Sequence, residues 1–160
     1  MQTESAEPSG ALPGHVLTAI DHVGVAVWDL DAAIGFYSET FGLQVAHQEV
    51  NEQMGVREAM LPVGESGSCI QLMAPLTPDS AIAKFLDRRG PGIQQLAYRV
   101  IDIQAASEVL RSRGLRLLYD EPQRGTAGSL VNFVHPRDAG GVLVELVEPN
   151  PQPAEFRRTT

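Results

Sequence analysis

Four polar residues interrupt apolar segments of the sequence, and their side chains share one chemical capacity. An imidazole nitrogen, an amide oxygen or a carboxylate oxygen can each give a lone pair to a metal ion. The four residues are His22, Gln71, Gln95 and Glu145. Any one of them alone is expected to face water, because polar residues on a half-buried sheet lie mostly on its wet face. The prediction of a metal site therefore depends on how the four are related.

An internal repeat relates the four residues in pairs. A shift of 73 residues places His22 over Gln95, and the neighbouring residues align as well. Further along the chain, a shift of 74 residues places Gln71 over Glu145. Equivalent positions in two copies of one unit converge when the copies pair around a shared cleft. The repeat thus predicts that the four side chains gather at one point.

Each copy is predicted to contain a strand, a helix and three further strands. Asp29 and Asp102 are good N-caps for the two helices, and Gly42 and Gly114 are placed to end them. We expect an α+β fold in which two tandem βαβββ modules form a curved mixed sheet around a metal-centred cleft. The further strands are predicted near residues 43–50, 56–61 and 68–73, and again near 116–119, 130–134 and 142–147.

The remaining segments are predicted to connect or flank the modules. A short helix with an apolar face at Ile82, Phe85 and Leu86 is expected between the two copies. The predicted parts are a flexible N-terminal tail at 1–18, modules at 19–76 and 92–149, a linker helix at 77–91 and a C-terminal tail at 150–160.

Composition limits the classes of function. The net charge is −8 and the pI is near 4.9, whereas nucleic-acid binding requires a basic surface, so no nucleic-acid partner is expected. No apolar stretch approaches the ~20 residues that span a bilayer. The N-terminal segment has neither the basic start and apolar core of a secretory signal nor the Arg-rich helix of a mitochondrial presequence. The single cysteine, Cys69, cannot form an internal disulfide, which fits a reducing compartment. Together these features predict a cytoplasmic protein without membrane contact.

Five motifs of the chain match known proteins. They are Ile20-Asp21-His22-Val23-Gly24-Val25-Ala26, Gln71-Leu72-Met73-Ala74-Pro75-Leu76, Leu118-Tyr119-Asp120-Glu121-Pro122, Asn132-Phe133-Val134-His135-Pro136 and Gly141-Val142-Leu143-Val144-Glu145-Leu146. On these motifs the chain resembles, over about residues 19–149, the vicinal oxygen chelate superfamily and, within it, the methylmalonyl-CoA epimerases. The first and last motifs are shared by much of the superfamily, and the middle three are closer to the epimerases.

The resemblance implies an isomerase that interconverts the (2R) and (2S) forms of methylmalonyl-CoA. The implied mechanism is a two-base 1,1-proton transfer through a metal-stabilised enolate, with Glu58 and Glu145 as the catalytic bases. By analogy with the superfamily we also expect a homodimer. The ligands that the resemblance implies for a divalent metal ion are the four residues paired by the repeat: His22, Gln71, Gln95 and Glu145.

The residues around Glu58 leave its environment open. Glu58 shares a strand face with Val56 and Met60, and a shift of 74 residues places it over Asn132, which favours the cleft. On these grounds alone an edge-strand glutamate in water is the better interpretation. The family resemblance reverses that preference.

Gln95 departs from the epimerase pattern. Such epimerases commonly have His at this position, in a Gly-Leu-His-His run that here reads Gly92-Ile93-Gln94-Gln95. An amide oxygen binds late transition metals more weakly than imidazole does, so the site should shift toward oxygen-preferring ions. Co²⁺ is the expected ion, with Mn²⁺, Mg²⁺ or Ni²⁺ as alternatives.

Two other functions are compatible with such a fold. A glyoxalase-I-like isomerase usually has a carboxylate at the position of Gln71, and a metal-free resistance module that sequesters small molecules does not need a ligand quartet. A ring-cleaving dioxygenase requires two His and one carboxylate for its iron. Only one His, His22, is predicted on the ligand strands, which argues against a dioxygenase.

Overall fold

The computed structural model describes residues 16–158. Within this range the chain forms one eight-stranded mixed sheet and three α-helices. The strands are β1 (Leu17–Ala26), β2 (His47–Asn51), β3 (Val56–Pro62), β4 (Cys69–Pro75), β5 (Gly92–Val100), β6 (Gln123–Arg124), β7 (Leu130–Val134) and β8 (Val144–Glu148), and the helices are α1 (Leu30–Phe41), α2 (Ala81–Arg89) and α3 (Ile103–Ser112).

The strand order displays the two copies of the repeat. Across the sheet it is β2-β3-β4-β1-β5-β8-β7-β6, so each half repeats the same arrangement outward from the centre. The two first strands, β1 and β5, pair antiparallel, and each runs parallel to the last strand of its own half. The sheet is curled into a half-barrel. The predicted α+β fold of two βαβββ units in one curved sheet is confirmed.

The predicted helix caps are also present. The Asp29 carboxylate accepts a hydrogen bond from the backbone N–H of Ala32 at 3.0 Å, and Asp102 does the same for Ala105 at 3.0 Å. Gly42 ends α1 with a φ of 70°, a left-handed conformation that glycine adopts without a steric penalty. No helix among residues 16–158 is long and apolar enough to cross a membrane.

The two faces of each half carry different side chains. Leu30, Leu61 and Leu72 form a hydrophobic cluster between α1 and the sheet. Ile103 and Leu146 belong to the corresponding cluster at α3. Because successive side chains of a strand point to opposite faces, the neighbouring residues face the inside of the curved sheet. The inner face is thereby available to polar side chains.

Two strands differ from the prediction. β2 begins at His47 rather than near residue 43. The strand predicted at 116–119 forms only an isolated bridge to β7, and the two-residue β6 follows it. Side chains interrupt the pairing at both ends of this segment: the backbone N–H of Arg116 donates to the carboxylate of Asp138 at 2.9 Å, and the backbone N–H of Tyr119 donates to the side-chain oxygen of Asn132 at 3.2 Å.

Parts of both predicted tails contribute to the fold. β1 already begins at Leu17, and the first fifteen residues of the predicted N-terminal tail lie outside the described range. At the other end, a 3-10 turn at Glu155–Arg157 buries Phe156 and Arg157. Phe156 joins a hydrophobic cluster of the sheet. The prediction of a polar tail is therefore wrong for this segment, because Phe156 packs in the core and Arg157 forms a buried hydrogen bond with Asp21.

Candidate active site

The inner face of the sheet encloses a cleft of about 470 Å³ between the two halves. Four of the five predicted site residues line it, and the fifth, His22, is buried against two of them. The polar residues among those that line the cleft include Glu58, Gln71, Gln94, Gln95, Thr126 and Glu145.

The structure brings the four predicted metal ligands together. All four side chains are buried. The amide nitrogen of Gln95 lies 3.2 Å from His22 Nε2 and 3.2 Å from Gln71 Oε1. It also donates a hydrogen bond to Glu145 Oε2, and that oxygen is 3.0 Å from His22 Nε2. The imidazole nitrogen of His22 and one oxygen each of Gln71 and Glu145 thus surround a single point, and the amide nitrogen of Gln95 occupies that point.

Strand register explains this convergence. Gly24 of β1 pairs with Gln71 on one side and with Gln95 on the other. A Cβ atom at Gly24 would lie 2.4 Å from Gln95 Cγ and 2.8 Å from Met73 Cε, closer than such atoms can approach. The absence of a side chain at Gly24 therefore gives Gln95 the space in which it reaches the other ligands.

Two irregularities in the pairing of β1 with β5 bring further polar residues to the site. The register shifts three times, and two of these shifts leave Asp21 of β1 and Gln94 of β5 without an opposite partner. As a result Asp21 is buried next to His22, and Gln94 lines the cleft beside Gln95. The sequence predictions assumed strict alternation along each strand, and for that reason they missed Asp21.

Asp21 fixes the orientation of the His22 ring. Its Oδ2 lies 2.7 Å from His22 Nδ1, and its Oδ1 accepts hydrogen bonds of 3.0 Å from the Nε atoms of Arg99 and Arg157. Burial alone would raise the pKa of Asp21, but the His22 hydrogen bond and the charge of Arg157 outweigh it and hold the pKa well below its usual range. A metal-binding histidine commonly has such a carboxylate on its second nitrogen.

His22 faces a second carboxylate at its other nitrogen. Burial lowers the pKa of His22, but the negative charge of Glu145 and the hydrogen bonds to Asp21 and Glu145 raise it to about 9. The surroundings of the ring therefore favour a positive charge at this point of the cleft, which either a proton or a metal cation supplies.

Glu58 lies in the same cleft on β3, which is not an edge strand. It is 3% exposed and accepts hydrogen bonds from Gln71 Nε2 at 2.8 Å and from Thr126 Oγ1 at 2.5 Å. Burial raises the pKa of Glu58 to about 7; the Thr126 hydrogen bond opposes this shift, whereas the charges of Glu49 and Glu145 add to it. A carboxyl group with a pKa near neutrality is suited to both taking and returning a proton.

Three residues of this network were not predicted as site residues. Asp21 directly precedes a candidate ligand in the sequence, and that adjacency is a signal that could have identified it. Thr126 lies in a tight turn outside any strand pattern, and Arg157 lies in the segment assigned to a tail. Nothing in the local sequence around Thr126 or Arg157 indicates a contact with the site residues.

The donor set can be compared with the needs of a cation. Within the described part of the chain, no three His, Cys, Asp or Glu side chains cluster in a way that could hold a metal ion. The candidate set instead combines one imidazole, one carboxylate and two glutamine amides, which suits divalent ions that accept oxygen ligands.

The Gln95 amide matches its surroundings poorly, and a cation would match them better. The amide nitrogen has two hydrogens but faces three acceptors when the His22 ring is neutral. If the ring is protonated, two donors face each other at 3.2 Å. A cation at this point would satisfy the imidazole and the carboxylate, with both amides presenting their oxygens. The residues therefore fit a divalent cation.

The chain is similar to known proteins along most of its length. The sequence profile of the glyoxalase/bleomycin resistance protein/dioxygenase superfamily matches residues 21–133. The crystal structure of methylmalonyl-CoA epimerase from Mycobacterium tuberculosis has 56% sequence identity and a TM-score of 0.85, over 89% of this chain and 95% of that one. This chain belongs to the methylmalonyl-CoA epimerase family.

Other members of the methylmalonyl-CoA epimerase family match along most of their length. The ethylmalonyl-CoA/methylmalonyl-CoA epimerase of Cereibacter sphaeroides is 38% identical over 129 residues, which are 79% of this chain and 95% of that protein. A methylmalonyl-CoA epimerase in complex with methylmalonyl-CoA and NH4+ is 45% identical with a TM-score of 0.81, over 86% of this chain and 99% of that one. The family resemblance in the sequence motifs is confirmed. The roles of the individual site residues stay predictions.

Proposed function

We propose that the protein is a metal-dependent epimerase that interconverts (2R)- and (2S)-methylmalonyl-CoA by two-base 1,1-proton transfer. The observation that carries the proposal is that two buried carboxylates, Glu58 and Glu145, face one cleft from different halves of the fold. The amides of Gln71 and Gln95 lie between them. Relatives named as methylmalonyl-CoA epimerases, one of them in complex with methylmalonyl-CoA, support the choice of substrate.

The substrate has one acidic hydrogen, on the carbon between its thioester and its carboxylate. Removal of this proton leaves an enolate, whose negative charge must be stabilised inside the cleft. Inversion then requires one group that removes the proton from one face of the carbon and a second group that returns a proton to the opposite face. Two carboxylates can perform both steps when burial brings their pKa values toward neutrality.

Glu58 is the proposed base for one face of the substrate carbon. Thr126 donates to one of its oxygens and Gln71 donates to the other, so the direction of the carboxylate is set before the substrate binds. Its pKa of about 7 allows it to lose a proton in one direction of the reaction and to hold one in the other. Both features support Glu58 as a catalytic residue.

Glu145 is the proposed base for the opposite face, and it is a proposed metal ligand as well. Within the described chain, the hydrogen bonds of its carboxylate to His22 and Gln95 are all made by Oε2. The second oxygen is therefore the one we assign to proton transfer. This division of work between the two oxygens lets one carboxylate serve both roles.

The four residues that meet around the Gln95 amide are the proposed ligands of a divalent cation. Once bound, the ion supplies Lewis-acid stabilisation of the enolate charge, which is worth several kcal/mol. Co²⁺ is the preferred candidate, with Mn²⁺, Mg²⁺ and Ni²⁺ as alternatives, because the set joins one imidazole to oxygen donors. The proposed ligands are His22, Gln71, Gln95 and Glu145.

Two alternative functions are less well supported by the side chains. A glyoxalase-I-like isomerase usually has a carboxylate where this chain has Gln71, and here the Gln71 amide donates to Glu58, which an ionised carboxylate could not do. A metal-free module that binds small molecules gains nothing from four buried polar side chains, since their burial costs stability. Both observations favour the epimerase.

Circular dichroism of a single substrate epimer tests the proposal. The purified protein, supplied with Co²⁺, is mixed with (2S)-methylmalonyl-CoA, and the optical signal of the C2 centre is followed with time. An epimerase moves the signal to that of an equilibrium mixture, whereas a binding module leaves it unchanged and a glyoxalase-I-like isomerase turns over only its own substrate. Glu58→Gln, purified in the same way, controls for contaminating host enzyme.

We further propose a homodimer and a cytoplasmic location. The dimer is proposed by analogy with the superfamily. Large exposed side chains such as Ile93, which is 71% exposed, and Phe41, which is 60% exposed, are candidates for its interface. Light scattering should then give twice the chain mass of 17.3 kDa.

The cytoplasmic location is supported by Cys69, which is free and buried and fits a reducing compartment. Cell fractionation tests the location.

A further inference from the structure

The C-terminal 3-10 turn, which lies outside both modules, buries one arginine against residues of the candidate site. Arg157 is 4% exposed, and its guanidinium lies over the ring of Phe156 with 4.8 Å between the guanidinium carbon and the ring centre. Its position in a segment after the last strand makes it independent of the duplicated ligand pattern. The neighbours of this guanidinium indicate what it does.

One contact connects Arg157 to the predicted metal ligand His22. Its Nε donates to Asp21 Oδ1 at 3.0 Å, and Asp21 Oδ2 holds His22 Nδ1 at 2.7 Å. Arg99 Nε donates to the same Asp21 oxygen at 3.0 Å. The two guanidinium groups fix the carboxylate that fixes the imidazole, so the direction of His22 depends on both of them.

A second contact connects Arg157 to the predicted base Glu58. Arg157 Nη1 donates to the backbone oxygen of Thr126 at 3.4 Å, and the Thr126 hydroxyl donates to Glu58 Oε1 at 2.5 Å. The next residue, Ala127, has a φ of 53°, which is a strained conformation for alanine. A strained turn requires contacts that hold it, and the Arg157 guanidinium makes one of them.

Stability alone does not account for this burial. A buried ion pair is often no more stable than apolar residues of the same volume, because both charges lose their hydration. Within the described chain, Arg157 Nη2 is buried without a hydrogen-bond partner, which adds to this cost. Asp21 already has a second positive partner in Arg99. The guanidinium group of Arg157 adds a rigid, planar set of donors. One donor is directed at Asp21 and another at the backbone of Thr126.

We propose that Arg157 is a positioning residue that orients His22 through Asp21 and Glu58 through Thr126. The inference rests on the proposed function for the meaning of those two residues. It extends that function to a segment of the chain that contains none of the ligands or bases. Within the described residues Arg157 makes no hydrogen bond to His22 or Glu58, so its effect on them is indirect.

Arg157→Met tests the proposal, with Arg158→Met as the matched control. Arg158 is the next residue and is exposed, and its side-chain Nε donates to the backbone oxygen of Pro153. Removal of a residue that orients metal ligands commonly costs ~10–100-fold in metal affinity or activity. We expect Arg157→Met to weaken Co²⁺ binding by ~10-fold in calorimetric titration and to lower kcat by ~10–100-fold, with KM nearly unchanged. Arg158→Met should match the parent protein in all three quantities.

Arg157→Lys separates the two contacts and serves if the Met variant does not fold. A lysine can still pair with Asp21, but its single ammonium group cannot also reach Thr126 as the planar fork does. We expect Co²⁺ affinity close to that of the parent protein and a kcat that stays reduced. A parental kcat for the lysine variant would overturn the Thr126 contact.

An NMR signal distinguishes this proposal from the proposed function. The proton on His22 Nδ1 is held by Asp21, and its resonance reports the ring orientation whether or not the protein is active. Arg157→Met should shift or broaden this resonance, and Arg158→Met should not. An unshifted resonance together with parental Co²⁺ affinity would overturn the inference, even if the protein proved to be an epimerase. A parent protein without epimerase activity would refute only the proposed function.

Discussion

Asp21 and His22 are consecutive residues of β1, yet both are buried and Asp21 Oδ2 lies 2.7 Å from His22 Nδ1. Regular strand geometry would turn the two side chains to opposite faces. The register shift between β1 and β5 at Asp21 removes that alternation. An irregularity of a single residue thus gives the candidate site its orienting carboxylate.

Asp21→Asn should therefore affect both folding and cation binding. The substitution removes the negative charge that pairs with the partly buried Arg99 and the buried Arg157. We therefore expect the free energy of unfolding to fall by about 3–5 kcal/mol. Co²⁺ affinity should fall by ~10–100-fold because the His22 ring is no longer held. Urea unfolding and calorimetric titration measure the two effects. Asp87→Asn, at an exposed position of α2, is the control, and a folded Asp21→Asn protein with parental Co²⁺ affinity would contradict the role of Asp21.

Gly24→Ala should disturb the site by a steric route. The added Cβ would lie 2.4 Å from Gln95 Cγ and 2.8 Å from Met73 Cε, and overpacking of this kind costs about 1–3 kcal/mol of stability. Co²⁺ affinity should also fall, because Gln95 must move away from the other ligands. Gly35→Ala is the matched control: its Cβ meets nothing within 4 Å, and it should stabilise α1 by about 0.5–1 kcal/mol. Equal melting temperatures for the two variants would refute this account of Gly24.

Glu58→Gln should slow proton transfer strongly and preserve the rest of the site. Glutamine has nearly the same shape but cannot take up the substrate proton, so kcat should fall by ~10²–10⁴-fold, the usual contribution of a general base. Co²⁺ affinity should change little, since Glu58 is not among the predicted ligands. Steady-state kinetics and calorimetry report the two quantities separately. The exposed Glu108→Gln on α3 is the control, and a Glu58→Gln enzyme with a parental kcat would rule out Glu58 as a base.

The ion pair of Arg116 with Asp138 predicts a pH dependence of stability that is independent of the cleft. Hydrogen bonds from the Arg116 side chain and backbone lower the pKa of Asp138 from 3.8 to about 2. Because the folded pKa is the lower one, the contribution to stability is complete above the unfolded value and is lost as pH falls through about 2. Urea unfolding of the parent protein and of Asp138→Asn should differ at pH 5, and the difference should shrink between pH 4 and pH 2. A difference that stays constant with pH would contradict the assignment.

The parts of this structure that could be predicted are those encoded locally or by repetition. The caps at Asp29 and Asp102 depend on a side chain and the next helical turn, and both were predicted. The pairing of His22 with Gln95 and of Gln71 with Glu145 followed from the duplication, and the structure brings these four residues into contact.

The parts that could not be predicted depend on contacts between distant segments. Arg157 and Asp21 are separated by 136 positions, and nothing near either residue indicates that they form a buried ion pair. Thr126 reaches Glu58 across 68 positions from a turn without periodic pattern. The bulge at Asp21 arises from the pairing of two particular strands, which no property of β1 alone specifies.

Deuterium incorporation tests the central claim, that Glu58 and Glu145 carry out a two-base proton transfer in this cleft. The protein is incubated in heavy water with (2S)-methylmalonyl-CoA, and the C2 position of both epimers is followed by proton NMR and mass spectrometry. Each inversion should place one solvent deuterium at C2 of the (2R) product, while the remaining (2S) substrate keeps its hydrogen early in the reaction. Inversion in which the (2R) product retains the original C2 hydrogen, or no inversion at all, would contradict the account.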